Sequence, residues 1–365
     1  MVNLLEYQGK LLFKRYGIKT PNGKLVKGVP KPKDVKLPVY VKVQVPTGHR
    51  YKLGGVVRVS KYSDLRKNIL RMASSNFLGY KGKAFLLEKP EKTTRQFYLS
   101  ISIDRSVRSP VLIVSKKGGV DIENVDKKYI SSYTLNNFIG IPDYVKEDIA
   151  FRLGVTKLLK NDLYNLLDSV WNLYTKEDAE LVEINPLGVT KRCLIALDSK
   201  ISIDDDAMFR HKHICVPESS DLLEKEAAKD NISFVRLSGN IGLIANGAGL
   251  TMATIDMIER LGGKAGDFLD LGGTDEPSKV EKAIALVSRE HPSVLLINVF
   301  GGVTKADTVA EGIANAVKKI KPNFKIFVRL SGFNTERGKK ILIKKGINAF
   351  ESMSDAVRAA VEASL

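Results

Sequence analysis

The chain has 365 residues, 44% hydrophobic and 27% charged, as expected for a globular protein of two domains. No apolar run approaches the ~20 residues of a membrane-spanning helix, and the N-terminus lacks the apolar core of a signal peptide. Two cysteines, Cys193 and Cys215, exclude a disulfide framework, and the four histidines show no zinc-binding spacing. We therefore expect a cytoplasmic protein with reduced thiols and no membrane contact.

The net charge of the chain is unevenly distributed. Residues 1–83 carry nineteen Lys and Arg against three Asp and Glu, a net charge of +16 out of +17 for the whole chain. This segment fits a cationic surface for nucleic acid or phosphate-bearing ligands, or simply a solvated lysine-rich surface. Because an aromatic-basic RNA-binding signature is absent, we do not expect a nucleic-acid partner.

The first part of the chain predicts short elements of an α+β module. Apolar spacing and alternation predict helices over 4–13 and 61–74, strands over 39–45, 56–59, 84–88, 97–103 and 110–115, a helical stretch from 149, and paired strands over 180–185 and 193–198. We expect a loop over 26–36 and a polar connection over 203–230 between domains.

After about residue 232, strands and helices alternate. The pattern predicts strands over 241–245, 265–271, 294–299 and 324–330, and helices over 251–261, 280–288, 308–319 and 336–345. Alternation with apolar strands indicates a parallel, doubly wound sheet. Such sheets bind ligands at the carboxyl ends of their strands.

A lysine and a basic loop form the first candidate site. Lys42 lies in a predicted strand, and His49, Arg50 and Tyr51 follow within a glycine-containing loop. A lysine can neutralise nucleotide phosphates, and glycines let backbone amides approach phosphate oxygens. The Walker A motif is absent, so the pattern also fits a basic hairpin loop without a ligand.

Three polar side chains on neighbouring predicted strands form the second candidate site. Asn185 and Asp198 would come close together in an antiparallel pair, and Glu183 shares the face of Asn185. An amide oxygen and a carboxylate suit Mg²⁺, which takes its remaining ligands from water and phosphates. A tight hairpin with a polar end is the alternative.

Two glycine-containing turns follow strands of the second half of the chain. Asn246 precedes one turn, and Gly302, Val303 and Thr304 form the other. Each turn opens a predicted helix, whose N-terminal amides can bind an anion. Together the turns could hold the two ends of one anionic ligand.

In combination, these segments resemble the β subunit of succinate–CoA ligase over nearly the whole chain. The resemblance rests on the order and spacing of eight short segments, at residues 6–8, 41–45, 52–56, 104–106, 118–123, 183–187, 246–250 and 300–302. It implies an ATP-grasp nucleotide-binding domain over 1–225, with a smaller subdomain inserted at about 22–92. A flavodoxin-like CoA-ligase domain would follow over 232–365.

The resemblance also implies a reaction, succinate + CoA + NTP giving succinyl-CoA, NDP and phosphate, through a phosphohistidine on an α subunit that also provides most of the CoA site. It implies the following residue roles: Lys42, His49, Arg50 and Tyr51 at the nucleotide phosphates, Glu88 and Glu91 at the base-binding hinge, Gln96 near the ribose, Asn185 and Asp198 on Mg²⁺, Asn246, Gly302, Val303 and Thr304 at succinate, and Glu183 beside the phosphohistidine. ATP and GTP both remain possible.

Some positions depart from the family pattern. Tyr51 replaces a usual glycine, Gln96 a common glutamate, and Ser331 and Phe333 replace a glutamate and a small polar residue. A malate–CoA ligase or another acid–CoA ligase is therefore an alternative. A non-catalytic nucleotide- or nucleic-acid-binding regulator that kept the fold is a second. The four histidines are all expected at the surface.

Overall fold

The computed structural model of the chain describes residues 1–215, 222–302, 304–347 and 349–365. The chain forms two compact units, Met1–Ser220 and Asp221–Leu365. Within the part that is described, none of the helices combines the length and apolar character needed to cross a membrane.

The first unit contains thirteen strands and four α-helices among its described residues. The strands are β1 Val2–Asn3, β2 Gly23–Val26, β3 Val39–Val43, β4 Val56–Val59, β5 Asn76–Phe77, β6 Tyr80–Lys81, β7 Phe85–Glu88, β8 Arg95–Asp104, β9 Ser109–Ser115, β10 Ile130–Thr134, β11 Ala179–Val189, β12 Leu194–Ala196 and β13 Lys200–Ile203. The helices are α1 Glu6–Arg15, α2 Tyr62–Ser74, α3 Asp143–Leu153 and α4 Lys160–Lys176.

A large antiparallel sheet forms the main body of the first unit. Its strand order is β1-β13-β11-β8-β9-β10, and the short β12 also pairs with β11. Apolar side chains of the sheet and of α1, α3 and α4 share one core, which includes Phe13, Leu99, Ile149, Leu167 and Val182. This sheet carries both Glu183 and Asn185.

A smaller antiparallel sheet of order β2-β7-β3-β4 has its own core. Val41 and Val43 of β3 pack with Leu65, Ile69 and Met72 of α2. Because side chains alternate across a strand, Lys42 lies on the face opposite the valines.

The second unit alternates strands and helices. Its elements are α5 Leu222–Lys229, β14 Ser233–Arg236, β15 Ile241–Ala245, α6 Ala248–Arg260, β16 Ala265–Asp270, α7 Pro277–Ser288, β17 Val294–Gly301, α8 Ala306–Ile320, β18 Lys325–Gly332, α9 Thr335–Ile343, β19 Ala349–Phe350 and α10 Met353–Ser364. The strand order is β14-β16-β15-β17-β18-β19.

The pairing within this second sheet is mostly parallel. Strands β16, β15, β17, β18 and β19 are parallel neighbours, in the flavodoxin-like order. The first strand is the exception, since β14 runs antiparallel to β16. The predicted parallel, doubly wound sheet is therefore present, and the short strand β14, which follows α5 and precedes the alternating pattern, was not predicted.

Most predicted elements are present, and the differences have local causes. The helical stretch predicted from 149 is two helices, because Gly154 ends α3 in the left-handed region at φ 64°. Strand β10 was missed because its sequence, Ile-Ser-Ser-Tyr-Thr, is largely polar. The polar connection predicted over 203–230 contains α5 at Leu222–Lys229 and a 3₁₀ helix at Asp205–Arg210.

Asp267 of β16 is expected to make the second unit less stable as the pH rises. Its side chain is 1% exposed, and burial raises its pKa from 3.8 to about 7. The folded protein therefore holds this proton more tightly than the unfolded chain does. The stability that the protonated carboxyl gives to the folded state is lost as the pH rises from ~4 to ~7. The penalty at pH 8 reaches about 4 kcal/mol.

Asp267→Asn is expected to recover part of that free energy at pH 8 and none of it at pH 4, measured as the pH dependence of the unfolding temperature. Asp256→Asn, an exposed position on α6, is the control and should leave the pH profile unchanged. Equal profiles for the wild type and Asp267→Asn would contradict the expectation.

Candidate functional site

Six charged side chains meet in the first unit and form what we term the charge cluster. It consists of Glu6, Lys10, Lys42, Arg50, Glu88 and Asp198. All except Asp198 are buried, with at most 9% of the residue exposed. Three carboxylates and three cations balance, so the cluster is neutral as a whole and satisfies the requirement that buried charges be paired.

Helix α1 brings two members of the cluster into position. Glu6 and Lys10 are one turn apart and share the inner face of the helix. Gly9 allows this close packing, because a Cβ there would lie 2.6 Å from Oγ of Ser199. The Ser199 hydroxyl in turn donates to the backbone carbonyl of Glu6 at 2.9 Å.

Strand pairing brings Lys42 and Glu88 together. In the β3–β7 register, Tyr40 faces Glu88 and Lys42 faces Leu86. Lys42 and Glu88 are therefore diagonal neighbours on one face of the sheet, and their charged atoms are 2.7 Å apart. Lys42 also donates to Glu6 and to the backbone carbonyl of Leu197, each at 2.7 Å.

Glu6 is the central acceptor of the charge cluster. Oε1 accepts from Lys10 and Lys42 at 2.7 Å each, and Oε2 accepts from Arg50 at 2.6 Å. Burial alone would raise the pKa of Glu6, but attraction to Lys10, Lys42 and Arg50 outweighs it and holds the pKa well below 4.5. For Lys42, burial lowers the pKa, but Glu6 and Glu88 outweigh it and raise the pKa.

Arg50 joins the basic loop to the predicted metal ligand Asp198. Its guanidinium donates to Oδ1 of Asp198 at 2.7 Å and to Glu6 at 2.6 Å. The loop is closed by the Gly55 amide, which donates to the Arg50 carbonyl at 2.7 Å. Burial raises the pKa of Asp198, against the attraction of Arg50.

The predicted metal ligands lie opposite each other. The β11–β12 register pairs Leu187 with Ala196, and the Leu197 amide donates to the Pro186 carbonyl at 3.1 Å. Continuing this register by one residue places Asn185 opposite Asp198. Both can offer oxygen ligands, which are the type that Mg²⁺ takes.

The side-chain amide of Asn185 holds a glycine turn. Its Oδ1 accepts from the Gly119 amide at 2.7 Å, and its nitrogen donates to the Val120 carbonyl at 3.0 Å. Gln96 lies at the same turn, since a Cβ on Gly119 would be 2.8 Å from its Oε1. The structure therefore brings the predicted ribose contact Gln96 and the predicted metal ligand Asn185 to one turn.

The same turn faces the exposed part of the basic loop. Asp121 forms ion pairs with Lys52 and, at 3.5 Å, with His49 when that ring is protonated. Tyr51 is 78% exposed. The hydrogen bond from Lys52 is the main cause that lowers the pKa of Asp121.

The two glutamates predicted at the hinge differ in their surroundings. Glu88 is buried at the end of β7, with its carboxylate on Lys10 and Lys42. Glu91 lies half-buried in the connection between β7 and β8. Glu88 therefore belongs to the charge cluster through its ion pairs with the two lysines.

Glu183 lies on β11 between two neighbouring strands. The registers place it opposite Ser100 of β8 and Lys200 of β13, and the Tyr98 hydroxyl donates to Oε2 at 3.3 Å. Burial raises the pKa of Glu183, partly offset by Lys200 and by the Tyr98 hydrogen bond. A half-buried carboxylate with a raised pKa suits proton transfer or the orientation of an imidazole.

In the second unit, Asn246 fastens two strand ends together. Its side-chain nitrogen donates to the Phe300 carbonyl at 2.9 Å, and its Oδ1 accepts from the Phe300 amide at 2.9 Å. Asn246 follows β15, and Phe300 belongs to β17, so the amide spans the carboxyl edge of the sheet. Both of its polar ends are thus engaged with backbone.

The second predicted turn lies at the same edge. Gly302 is exposed, and Thr304 is 1% exposed. The Thr304 hydroxyl accepts from the Thr274 amide at 3.1 Å. Val303 lies outside the described residues. Asn246, Gly302 and Thr304 thus border one edge of the sheet, as expected for a ligand site of a doubly wound fold.

Sequence reasoning did not assign roles to Glu6, Lys10, Asp121 or Tyr98. The first two had a detectable signal, an acidic and a basic residue four apart on a predicted helix. Asp121 and Tyr98 had none, because their partners are more than sixty residues away in the chain.

Comparison with known protein families matches this architecture in order. Residues 3–189 match the model of an ATP-grasp domain, and residues 244–363 match that of a CoA-ligase domain. The predicted fold class is confirmed. The fold and site therefore define an ATP-grasp chain joined to a CoA-ligase domain.

Relatives of known function are similar over their full length. The succinate–CoA ligase [ADP-forming] β subunits of Ignicoccus hospitalis and Staphylothermus marinus are each 37% identical and align with 99% of this chain and with 99% and 98% of their own lengths. That of Aquifex aeolicus is 36% identical, with 99% and 98% covered. The chain belongs to the family of succinate–CoA ligase β subunits, and the resemblance inferred from its sequence is confirmed.

A solved structure with a similar fold is ATP citrate lyase from Methanothrix soehngenii in complex with citrate and coenzyme A. The TM-score is 0.79 at 19% identity, with 99% of both chains covered. At this identity the match supports the fold of the chain.

Replacing Glu6 by glutamine is expected to destabilise the first unit. The change leaves three cations with two carboxylates, Glu88 and Asp198, in buried surroundings. Removing one partner of a buried ion pair costs about 3–5 kcal/mol, so the denaturant midpoint should fall strongly. The control is Glu147→Gln, which removes an exposed partner of Lys160 and should change the midpoint little; similar losses in both variants would contradict this account.

Proposed function

We propose that this chain, together with an α subunit, catalyses the reversible conversion of succinate, CoA and a nucleoside triphosphate to succinyl-CoA, nucleoside diphosphate and phosphate. Residues 1–225 serve as the nucleotide-binding domain, with the smaller subdomain at about 22–92, and residues 232–365 as the CoA-ligase domain. The nucleotide is ATP or GTP. The cysteine content supports a cytoplasmic location.

The observation that carries this proposal is the charge cluster beside the glycine-containing loop. Lys42 and Arg50 are held in place by Glu6 before any ligand is bound. Cations fixed in advance can stabilise the charge that develops during phosphoryl transfer without reorganising. His49 and Tyr51 at the exposed part of the loop, and Glu88, Glu91 and Gln96 on and after β7, complete the assigned nucleotide contacts.

The oxygen atoms of Asn185 and Asp198 fit a magnesium site. Mg²⁺ held there would neutralise nucleotide phosphate charge. Both side chains have other partners in this structure: Asp198 accepts from Arg50, and Asn185 accepts from Gly119. We infer that ligand binding exchanges these hydrogen bonds, releasing Arg50 from Asp198 to contact phosphate.

The acid substrate is assigned to the carboxyl edge of the second sheet. Helices α6 and α8 begin beside Asn246 and after Thr304, and helix N-termini favour carboxylates. Because the Asn246 side chain is hydrogen-bonded to the Phe300 backbone, we assign it two roles: it positions the turn, and it lines the substrate site. Gly302 and Thr304 form the other border.

The phosphohistidine is assigned to the α subunit. The proposed reaction needs a histidine that carries phosphate from the nucleotide to the acid and that a carboxylate orients. We assign the role of this carboxylate to Glu183. In this chain His211 is buried and bonded to Asp178, which corrects the expectation that it lies at the surface. His49 lies in the nucleotide loop, and His291 adopts a left-handed conformation in a turn.

Asp198→Asn is expected to weaken the use of Mg-nucleotide by at least about tenfold, since it removes a charged metal ligand. The measurement is the nucleotide KM and kcat of the complex with the α subunit at several Mg²⁺ concentrations. Asp143→Asn, on the exposed side of α3, is the matched control. Unchanged Mg²⁺ dependence in Asp198→Asn would reject the metal assignment.

A labelling experiment tests the proposed function itself. The chain is incubated with Mg²⁺ and γ-labelled ATP or GTP, first alone and then with its α subunit. Acid-labile phosphate is expected only in the mixture, on the α subunit, and it should disappear when succinate and CoA are added. Malate is then tested in place of succinate, to compare how well the two acids remove the labelled phosphate.

Label on this chain in the absence of the α subunit would overturn the assignment of the phosphohistidine. If malate and not succinate removed the labelled phosphate from the α subunit, malate would be the acid substrate. Failure of both nucleotides to label the mixture would contradict a ligase function.

A further inference from the structure

Three side chains of the first unit, remote in sequence from the assigned nucleotide contacts, come together in what we term the histidine cluster. It consists of Glu177, His211 and His213, whose potential ligand atoms all lie within 4.8 Å of one another. It joins the end of α4 to the segment that follows β13.

Local structure fixes the three side chains in relation to each other. Glu177 ends α4, and Asp178 adopts a left-handed conformation at φ 48° that turns the chain into β11. A 3₁₀ helix at Asp205–Arg210 and a hydrogen bond from the Ile214 amide to the His211 carbonyl form a tight turn. This turn brings both histidines to the same carboxylate.

The distances within the cluster match those between ligands of one metal ion. Oε2 of Glu177 lies 3.2 Å from Nδ1 of His211 and 3.0 Å from Nε2 of His213. Atoms bound tetrahedrally to zinc at 2.0–2.2 Å lie about 3.3–3.6 Å apart. Small side-chain movements would therefore place all three atoms around one ion.

The surroundings resemble the second shell of a metal site. The other nitrogen of His211, Nε2, is 2.6 Å from Oδ2 of Asp178, and a carboxylate in that place fixes the tautomer of a metal-bound histidine. The Tyr16 hydroxyl donates to Oε1 of Glu177 at 2.8 Å. Glu177 and His211 are nearly inaccessible, at 3% and 5% exposure, while His213 is exposed.

We propose that Glu177, His211 and His213 bind a divalent first-row transition metal ion, with zinc the expected ion and water completing the coordination. Two imidazoles and one carboxylate form a ligand set that zinc takes and that magnesium, which favours oxygen ligands, does not. Binding of the ion requires Nδ1 of His211 and Nε2 of His213 to be unprotonated, so each ring then carries its proton on the other nitrogen.

Such an ion would fasten the segment after β13 to the body of the first unit. The cluster links that segment to the end of α4, and Tyr16, next to the end of α1, contacts Glu177 directly. No local sequence pattern indicates this site, because an H-x-H pair without its distant carboxylate lacks the spacing of a zinc motif.

The test measures zinc binding to the full chain after removal of metals by chelation. Excess Mg²⁺ is present throughout, so that the oxygen ligands of Asn185 and Asp198 are occupied. Zinc affinity is measured by competition with a chromophoric chelator, and cobalt is added separately to report tetrahedral coordination by its visible absorption. We expect one tight zinc per chain, a tetrahedral cobalt spectrum and a higher unfolding temperature with zinc.

The decisive variant is His213→Gln, because His213 is exposed and its loss leaves the core intact. Affinity should fall by at least about tenfold, as loss of even an outer partner costs about 10–100-fold, and the zinc-dependent thermal shift should vanish. His291→Asn is the matched control, since Asn tolerates the left-handed conformation found there. Equal zinc affinity in the wild type and His213→Gln, or a cobalt spectrum that is not tetrahedral, would overturn the proposal.

Discussion

The carboxylate of Glu6 accepts hydrogen bonds from three cations in a place from which water is nearly excluded. Lys10 belongs to the same helix, whereas Lys42 and Arg50 come from a strand and a loop of the smaller sheet. One carboxylate therefore connects helix α1, which packs in the core of the larger sheet, to the smaller sheet. Because an unpaired buried charge is far more costly than a paired one, each member of the cluster depends on the others, and the loop cannot move freely while they remain paired.

The candidate sites share a property in that their polar groups are already bonded within the protein. Asn185 holds the Gly119 turn, Asn246 holds the Phe300 backbone, and Glu183 accepts from Tyr98. Side chains fixed in this way lose little conformational freedom when a ligand arrives, which reduces the cost of binding. Ligand binding then exchanges one set of hydrogen bonds for another, and its net energy is the difference between the two.

The first unit contains two groups of carboxylates with different chemical surroundings. Asp198 has lysine and arginine neighbours and an amide oxygen opposite, which suits phosphates and a hard cation. Glu177 has two imidazoles and a tyrosine hydroxyl as neighbours, which suits a softer ion. The two carboxylates thus suit different ions, because the fold places different nitrogen and oxygen atoms beside each of them.

The α+β character of the first unit, the alternating order of the second and the positions of the glycine turns could be predicted from the residues alone, since periodicity and turn chemistry are local properties. The sequence also places Asn185 and Asp198 on neighbouring strands, and Lys42 in a separate strand before the basic loop. The pairing of Glu6 with Lys42 and the contact of Glu177 with His211 could not be predicted and became visible in the folded chain, because they join residues more than thirty positions apart. Such contacts depend on strand register, helix packing and burial, and a local sequence pattern does not predict them.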